Sequence, residues 1–274
     1  MRPVDDQLRR FYAEYDEAAR LSRGAGNLEA ARTQEIIMRH APPPPATVVD
    51  IGGGPGVYAC WLARLGYRVS LLDLMEKHVL EAQTMARAHP PARLMSAVVG
   101  DARSLPYADE AFDLALLLGP LYHLPEAADR ALALSEARRV LRPGGVLLAA
   151  GIGRHASLLD ALFKGGYASE EIQGIVNQDI ATGCHENRTG RLDYFTTAYF
   201  HRPEELAAEL AATGFRGVRV VAVEGPCWLA KDLDSVWHEP GHQSYLMAVA
   251  RQVEADPVLL GASLHLLGVG YAPA

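Results

Sequence analysis

The stretch Val48-Val49-Asp50-Ile51-Gly52-Gly53-Gly54-Pro55-Gly56-Val57 constrains this chain more than any other. An apolar run ends in an acid, passes into a glycine-rich turn, and the turn opens a helical pattern. A strand-turn-helix unit of this kind leaves backbone N–H groups free at the carboxyl end of a strand, where glycine lets a ligand come close. Around it the chain alternates. Residues 47–51, 68–72, 95–99, 112–118 and 146–150 read as strands, with helical patterns near 57–65, 77–88 and 127–140. The Arg142-Pro143-Gly144-Gly145 turn reads as a helix stop before the fifth strand. Alternating strand and helix predicts a parallel sheet with right-handed crossovers, a doubly wound α/β fold.

The flanks are helical or polar. Over 5–21, Leu8, Phe11, Tyr12, Tyr15 and Ala19 recur at helical spacing, and after Gly24-Ala25-Gly26 a second helix is predicted over 28–38. Pro42 to Pro45 impose a stiff extended connector, so the organisation reads as N-terminal helices over 1–41 and a main domain over 46–274. From 151 to 199 the rhythm lapses into a polar segment carrying Gly165, Gly166, Gly174, Gly183 and Gly190, which reads as an irregular lid. Beyond it a helix is predicted from Arg202-Pro203-Glu204-Glu205 to 212, a strand over 217–223, a helix over 243–254 and a last strand over 264–271.

The glycine spacing is G-x-G-x-G, because Val57 stands where a dinucleotide fingerprint needs its third glycine. Asp50 points the same way, since a carboxylate there repels a pyrophosphate and suits an ammonium group. A second acid, Asp73, ends the second strand, where an acceptor for ribose hydroxyls belongs. Gly100-Asp101-Ala102 follows the third strand.

In these elements the chain resembles the class I S-adenosylmethionine-dependent methyltransferases, over about 47–150 and only weakly beyond. The resemblance implies a Rossmann-like methyltransferase fold: a seven-stranded, mostly parallel sheet of order 3-2-1-4-5-7-6 with its last strand antiparallel, helices over the cofactor, and a lid. It implies S-adenosyl-L-methionine as cofactor. Gly52, Gly53, Gly54 and Gly56 would then shape the turn, Asp50 would face the amino-acid end, Asp73 and Leu74 the ribose, and Asp101 and Ala102 the adenine. Leu118 would close the site from the fourth strand, and Arg32 would pair with the methionine carboxylate.

On the same resemblance the acceptor belongs near Gly119-Pro120-Leu121-Tyr122-His123. His123 is the candidate general base, since imidazole titrates near neutral pH. Tyr12, Tyr122, His155, Asn187 and Tyr194 are candidate acceptor contacts, with Arg154, His185 and Arg188 as further polar groups of the lid. Asp113, early in an apolar strand, is read as orienting a neighbouring turn.

The expected activity is methyl transfer to oxygen, nitrogen or carbon of a small molecule. The rivals are an NAD(P)-dependent oxidoreductase and a non-catalytic cofactor-binding regulator. A net charge of −7 counts against a nucleic-acid acceptor. Cys60, Cys184 and Cys227 form no disulfide framework, and the N-terminal residues lack a signal-peptide core, so a cytoplasmic protein is expected. The most apolar run, broken by Asp113, Pro120 and His123, is shorter than the ~18 residues of a membrane span. No metal is expected: His238-Glu239-Pro240-Gly241-His242 carries the letters of a zinc motif, but Pro240 and Gly241 break the helix that motif needs. The sequence sets no oligomeric state.

Overall fold

The computed structural model describes residues 6–88, 93–189, 191 and 194–274. Five strands, β1 (Thr47–Ile51), β2 (Arg68–Asp73), β3 (Ser96–Val99), β4 (Phe112–Leu117) and β5 (Leu141–Gly153), run parallel in the order β3-β2-β1-β4-β5. On the other side of β5, β9 (His265–Tyr271) pairs antiparallel, and β8 (Arg216–Ala222) pairs antiparallel with β9. These strands reproduce the expected order. Two short strands extend it: β7 (Ala198–His201) runs parallel to Ile152 and Gly153 of β5, and β6 (Cys184–His185) lies antiparallel on β7.

Strand periodicity sends neighbouring residues to opposite faces. Val48, Leu114, Leu116 and Leu148 pack with Ile36 and Ile37 of α3 (Ala25–His40), Ala59 and Leu62 of α4 (Val57–Arg64) and Val79 of α5 (Glu76–Ala88). Val49, Ala115, Leu117 and Leu147 pack instead with Ala133 and Leu134 of α6 (Ala127–Val140) and Leu206 and Leu210 of α9 (Pro203–Ala212). Both faces are covered, which is why β1 and β4 read as near-continuous apolar runs.

β5 is longer than expected because the Arg142–Gly145 turn lies inside it. Leu141 faces Phe112 and Val146 faces Leu114, so the intervening residues bulge out opposite Asp113. Asp113 accepts from Arg142 Nη1 at 2.6 Å and from the Thr47 N–H and Oγ1 at 2.7 Å each, tying the bulge to the start of β1.

The N-terminal segment is not one helix. Asp16 leaves helical geometry and accepts from the Ala19 N–H at 3.1 Å, separating α1 (Asp6–Glu14) from α2 (Glu17–Arg20); Asp5 lies outside the described residues. Lys77 of α5 donates to the carbonyls of Tyr12, Ala13 and Tyr15 at 3.2, 3.3 and 3.2 Å, holding the end of α1 over the sheet.

The 151–199 segment is not irregular either. It holds α7 (Ala156–Lys164) and α8 (Glu170–Thr182), packed together through Ala161, Ile172, Ile175 and Val176. Its glycines misled because two are helix stops: Gly165 and Gly183 both have φ of 78° just past α7 and α8. Gly190 lies outside the described residues. After β8, α10 (Leu233–Trp237) and α11 (Pro240–Val253) pack on Leu28 of α3 through Trp237 and Ala250. Pro240 opens α11 and His238 caps α10, so His238 and His242 are not one turn apart on a single helix. Among the described residues no helix is long and apolar enough to cross a membrane.

Candidate functional site

The glycine-rich turn closes one end of a cavity of about 350 Å³ at the carboxyl edge of the sheet. The N–H groups of Gly52 and Gly53 donate to Leu72 O at 2.7 and 3.2 Å, and that of Gly54 to Asp73 Oδ2 at 2.8 Å, so β2 fixes the turn. Gly52 has φ of 69°, and a Cβ there would stand 2.5 Å from Pro120 Cγ. Gly52→Ala should therefore cost about 1–3 kcal/mol, from left-handed strain plus overpacking. Urea unfolding checks this, and a loss under about 0.5 kcal/mol would mean that Pro120 yields freely. Gly52, Gly53 and Gly54 line the cavity, whereas Gly56 does not. Gly56, with φ of 85°, caps α4, and a Cβ there would lie 2.8 Å from Ala82 Cβ, so it seats α4 against α5.

The expected acids line the cavity, each in a different state. Asp50 is 1% exposed, and its Oδ2 has no hydrogen-bond partner. Burial, with a smaller contribution from the charge of Asp73, pushes its carboxyl up to about 7. Asp73 accepts from the N–H groups of Gly54 and Met75 at 2.8 Å each and lies 3.1 Å from His78 Nδ1. His78 also lines the cavity, with a buried and unpartnered Nε2. Asp101 is gripped by Arg103, at 3.0 Å from Nε, 2.7 Å from Nη2 and 2.9 Å from the backbone N–H. Burial would raise the Asp101 carboxyl, but the hydrogen bonds and charge of Arg103 outweigh it and hold it below its ordinary value. Leu74, Ala102 and Leu118 add apolar lining.

Arg32 is not at the cavity. It is wholly buried behind α3, where Nε donates to Val223 O at 3.2 Å, Nη1 to Glu35 at 2.6 Å and Nη2 to Glu254. Its guanidinium ties α3 to the chain around α11 and has no face left for a ligand. Two arginines do line the cavity: Arg103, which is held by Asp101, and Arg20. Arg20 contacts Glu17 at 2.8 Å and grips Glu29 through both terminal nitrogens, at 2.5 and 3.0 Å. The break at Asp16 turns Arg20 inward, and the unbroken helical pattern concealed that break.

Aromatic side chains close the cavity on its other side. Tyr12 OH lies 2.7 Å from His123 Nε2, and the Tyr12 ring meets His78 and His123 edge-on. His123 Nδ1 is buried without a partner. Burial pushes the imidazole down to about 4, so it is neutral around pH 7 and weakly basic. Beyond Tyr12 and Tyr122 lies a second chamber of about 1060 Å³, also lined by Tyr194, His185, Phe195 and Trp228. Both His185 nitrogens are occupied, by Asp179 at 2.9 Å and Tyr194 O at 2.8 Å.

Other expected acceptor contacts do not reach either cavity. Asn187 donates to Arg191 O at 2.7 Å and Phe195 O at 2.6 Å, so it shapes its own loop. His155 caps the start of α7 and lies against Gly261. Arg154 is buried against Glu205 at 2.7 Å, and Arg188 is spent on Glu186 at 2.8 Å. His265, Glu29 and Glu17 line both cavities, and no sequence pattern singled them out.

Residues 49–149 match the family model for a methyltransferase domain. The chain is 39% identical over 103 residues to the ubiquinone/menaquinone biosynthesis C-methyltransferase UbiE of Paracoccus denitrificans, covering 37% of this chain and 40% of that one. It is 39% identical over 138 residues to the malonyl-[acyl-carrier protein] O-methyltransferase of Methylococcus capsulatus, covering 48% and 45%. It thus spans less than half the length of these curated relatives. In fold it is similar to an S-adenosylmethionine-dependent methyltransferase of Thermotoga maritima, at a TM-score of 0.60, 19% identity and coverage of 98% and 100%. It is also similar to a methyltransferase of Haloferax volcanii solved with its Trm112 activator, at a TM-score of 0.59, 21% identity and coverage of 99% and 98%. The strand order and the cavity at the glycine-rich turn agree with these matches: residues 49–149 match a methyltransferase domain, and the chain is similar in fold to solved S-adenosylmethionine-dependent methyltransferases.

Proposed function

We propose that the protein transfers the methyl group of S-adenosylmethionine to a small-molecule acceptor held in the larger chamber. The observation that carries this reading is the orphaned carboxylate oxygen of Asp50, buried beneath the glycine-rich turn. A buried carboxylate needs a cationic partner, and the ammonium of an amino-acid ligand supplies one. Arg20 lines the cavity, unlike Arg32, and takes the part expected of Arg32 by exchanging one of its contacts with Glu17 or Glu29 for that ligand's carboxylate. Asp73 has lone pairs left for ribose hydroxyls, and Asp101, steadied by Arg103, has them for the adenine amine.

S-adenosylmethionine, when bound, supplies a methyl on a positive sulfur, which an acceptor lone pair displaces while the C–S electrons stay on sulfur. The chain's part is alignment and exclusion of water. Tyr12 and Tyr122 stand where the two cavities meet, so they bound the space next to the sulfur. His123 accepts from or donates to Tyr12, and with an imidazole near 4 it orients that phenol more readily than it removes an acceptor proton. The names of the two relatives put the methyl on carbon in one and oxygen in the other, so the shared segment speaks for the cofactor and not for the acceptor atom. A chain of net charge −7 with free Cys60, Cys184 and Cys227 supports a cytoplasmic enzyme that does not act on nucleic acid.

Thermal unfolding tests this reading: S-adenosylhomocysteine should raise the melting temperature and NADH should not. The reverse result would return the chain to the oxidoreductases. Within the same assay, Asp73→Ala should weaken S-adenosylhomocysteine binding by about 1–3 kcal/mol, because it removes the ribose acceptor and frees the Gly54 and Met75 N–H groups. Calorimetry showing unchanged affinity would remove Asp73 from the site.

A further inference from the structure

His265 opens β9 and pairs with Ile152, at the carboxyl end of β5. Because β9 is antiparallel, its first residue lies at the same sheet edge as the glycine-rich turn. His265 lines both cavities, beside Tyr12 and Tyr122. Its Nδ1 is held by Glu224 Oε1 at 2.7 Å. Glu224 is itself wholly buried, and its other oxygen accepts from Ser263 Oγ at 2.8 Å and from the His265 N–H at 3.1 Å. A carboxylate fixed in this way sets Nδ1–H as the donor and fixes the ring orientation. Nε2 is then the ring's one free polar atom, and 20% of the side chain is accessible.

The geometry points to His265 as the residue that binds the methyl acceptor, with its Nε2–H on the oxygen of an aromatic hydroxyl held as the phenolate. This assignment rests on the methyl-transfer reading. The charges around the ring favour it. Burial would depress the imidazole, but Glu29, 3.7 Å from Nδ1, and Glu224 outweigh it and raise the group to about 9. Arg20 opposes them weakly, because it is engaged by Glu29 and Glu17. Around pH 7 the ring is therefore an imidazolium presenting N–H to the passage between the cavities. A phenol ionises near 10, close enough to His265 for the imidazolium to favour its anion. The aromatic walls, Tyr122, Phe195, Phe163 and Trp228, suit a flat ring. A phenolate is also the nucleophile that the proposed reaction needs: because His265 is already protonated, the phenol proton leaves to solvent on binding, before the methyl moves.

4-Nitrophenol is the probe, because its phenolate is yellow and its neutral form is not. Added to the S-adenosylhomocysteine-loaded protein at a pH below its own pKa, it should bind as the yellow phenolate. His265→Gln should weaken that binding by about tenfold or more and leave bound probe colourless, with S-adenosylhomocysteine affinity within about twofold of wild type. Glu224→Gln, which keeps a side chain of the same shape, should bind phenolate but lose it at a pH below the wild-type limit of about 9. Wild-type protein that binds the probe neutral or not at all, or His265→Gln that binds phenolate as wild type does, would each overturn the assignment. Binding of phenolate through His265 without any S-adenosylhomocysteine affinity would support this assignment and sink the methyl-transfer reading instead.

Discussion

Asp50→Asn should make the ligand-free protein more stable and the cofactor complex much weaker. The carboxyl ionises at about 7 in the fold against an ordinary 3.8, because it is buried and faces Asp73. A folded-state value above the unfolded one means that stability falls as pH rises from about 4 to 7, since only the unfolded chain ionises freely in that window. At about 1.4 kcal/mol per pH unit the buried charge costs roughly 4 kcal/mol above pH 7, an order-of-magnitude figure. Asparagine removes that penalty, so urea unfolding at pH 8 should show a gain and unfolding at pH 4 almost none. Calorimetry with S-adenosylhomocysteine should show the opposite sign, a loss of about 1.5–3 kcal/mol for one hydrogen bond to a charged group. Wild-type affinity should also rise with pH up to about 7, as the carboxylate forms, and level off above it. An Asp50→Asn protein that keeps wild-type affinity would show that the acid serves the fold and not the ligand.

The parts of this molecule legible in its sequence are those whose constraints are local. The turn after β1 announces itself because Gly52 must adopt φ of 69° beside Pro120, and β1 announces itself because both of its faces are buried. Strand order was available only through resemblance, since periodicity does not say which strand lies beside which. In the 151–199 segment glycine carries two meanings, loop or helix stop, and reading Gly165 and Gly183 as loop glycines hid α7 and α8. Candidate site residues were legible where they stand at or just past the end of a strand, as Asp50, Asp73 and Asp101 do. They were not legible where chain-distant partners give them their chemistry: His265 acquires its charge from Glu224, 41 residues earlier, and from Glu29 on another element. The same difficulty explains Arg32, which faces inward on a regular helix but toward Glu254, 222 residues away.

Arg32→Met and Arg20→Met should therefore separate stability from binding. Arg32 is wholly buried, and removing its charge strands Glu254 and Glu35 and leaves Val223 O without its donor. Glu254 keeps Arg39, at 2.5 and 2.6 Å, and Glu35 keeps Arg251 at 2.6 Å, so the loss belongs at the lower end of the about 3–5 kcal/mol expected when a buried ion pair is broken. Where the variant is still folded, its S-adenosylhomocysteine affinity should stay close to that of wild type, since Arg32, Glu35 and Glu254 do not line the cavity and Val223 is the one group of this set that does. Arg20 is 27% exposed, and Glu29 retains His265 nearby, so Arg20→Met should cost less in stability. It should cost about 1.5–3 kcal/mol in cofactor affinity, because the ligand carboxylate loses the guanidinium beside Glu17 and Glu29, whereas Arg103, which also lines the cavity, is held by Asp101 and Asp129. Decarboxylated S-adenosylhomocysteine gives the control: it should bind wild type and Arg20→Met alike. A variant pair with the two effects exchanged, affinity lost at Arg32 and stability at Arg20, would restore Arg32 to the cofactor and require α3 to turn on binding.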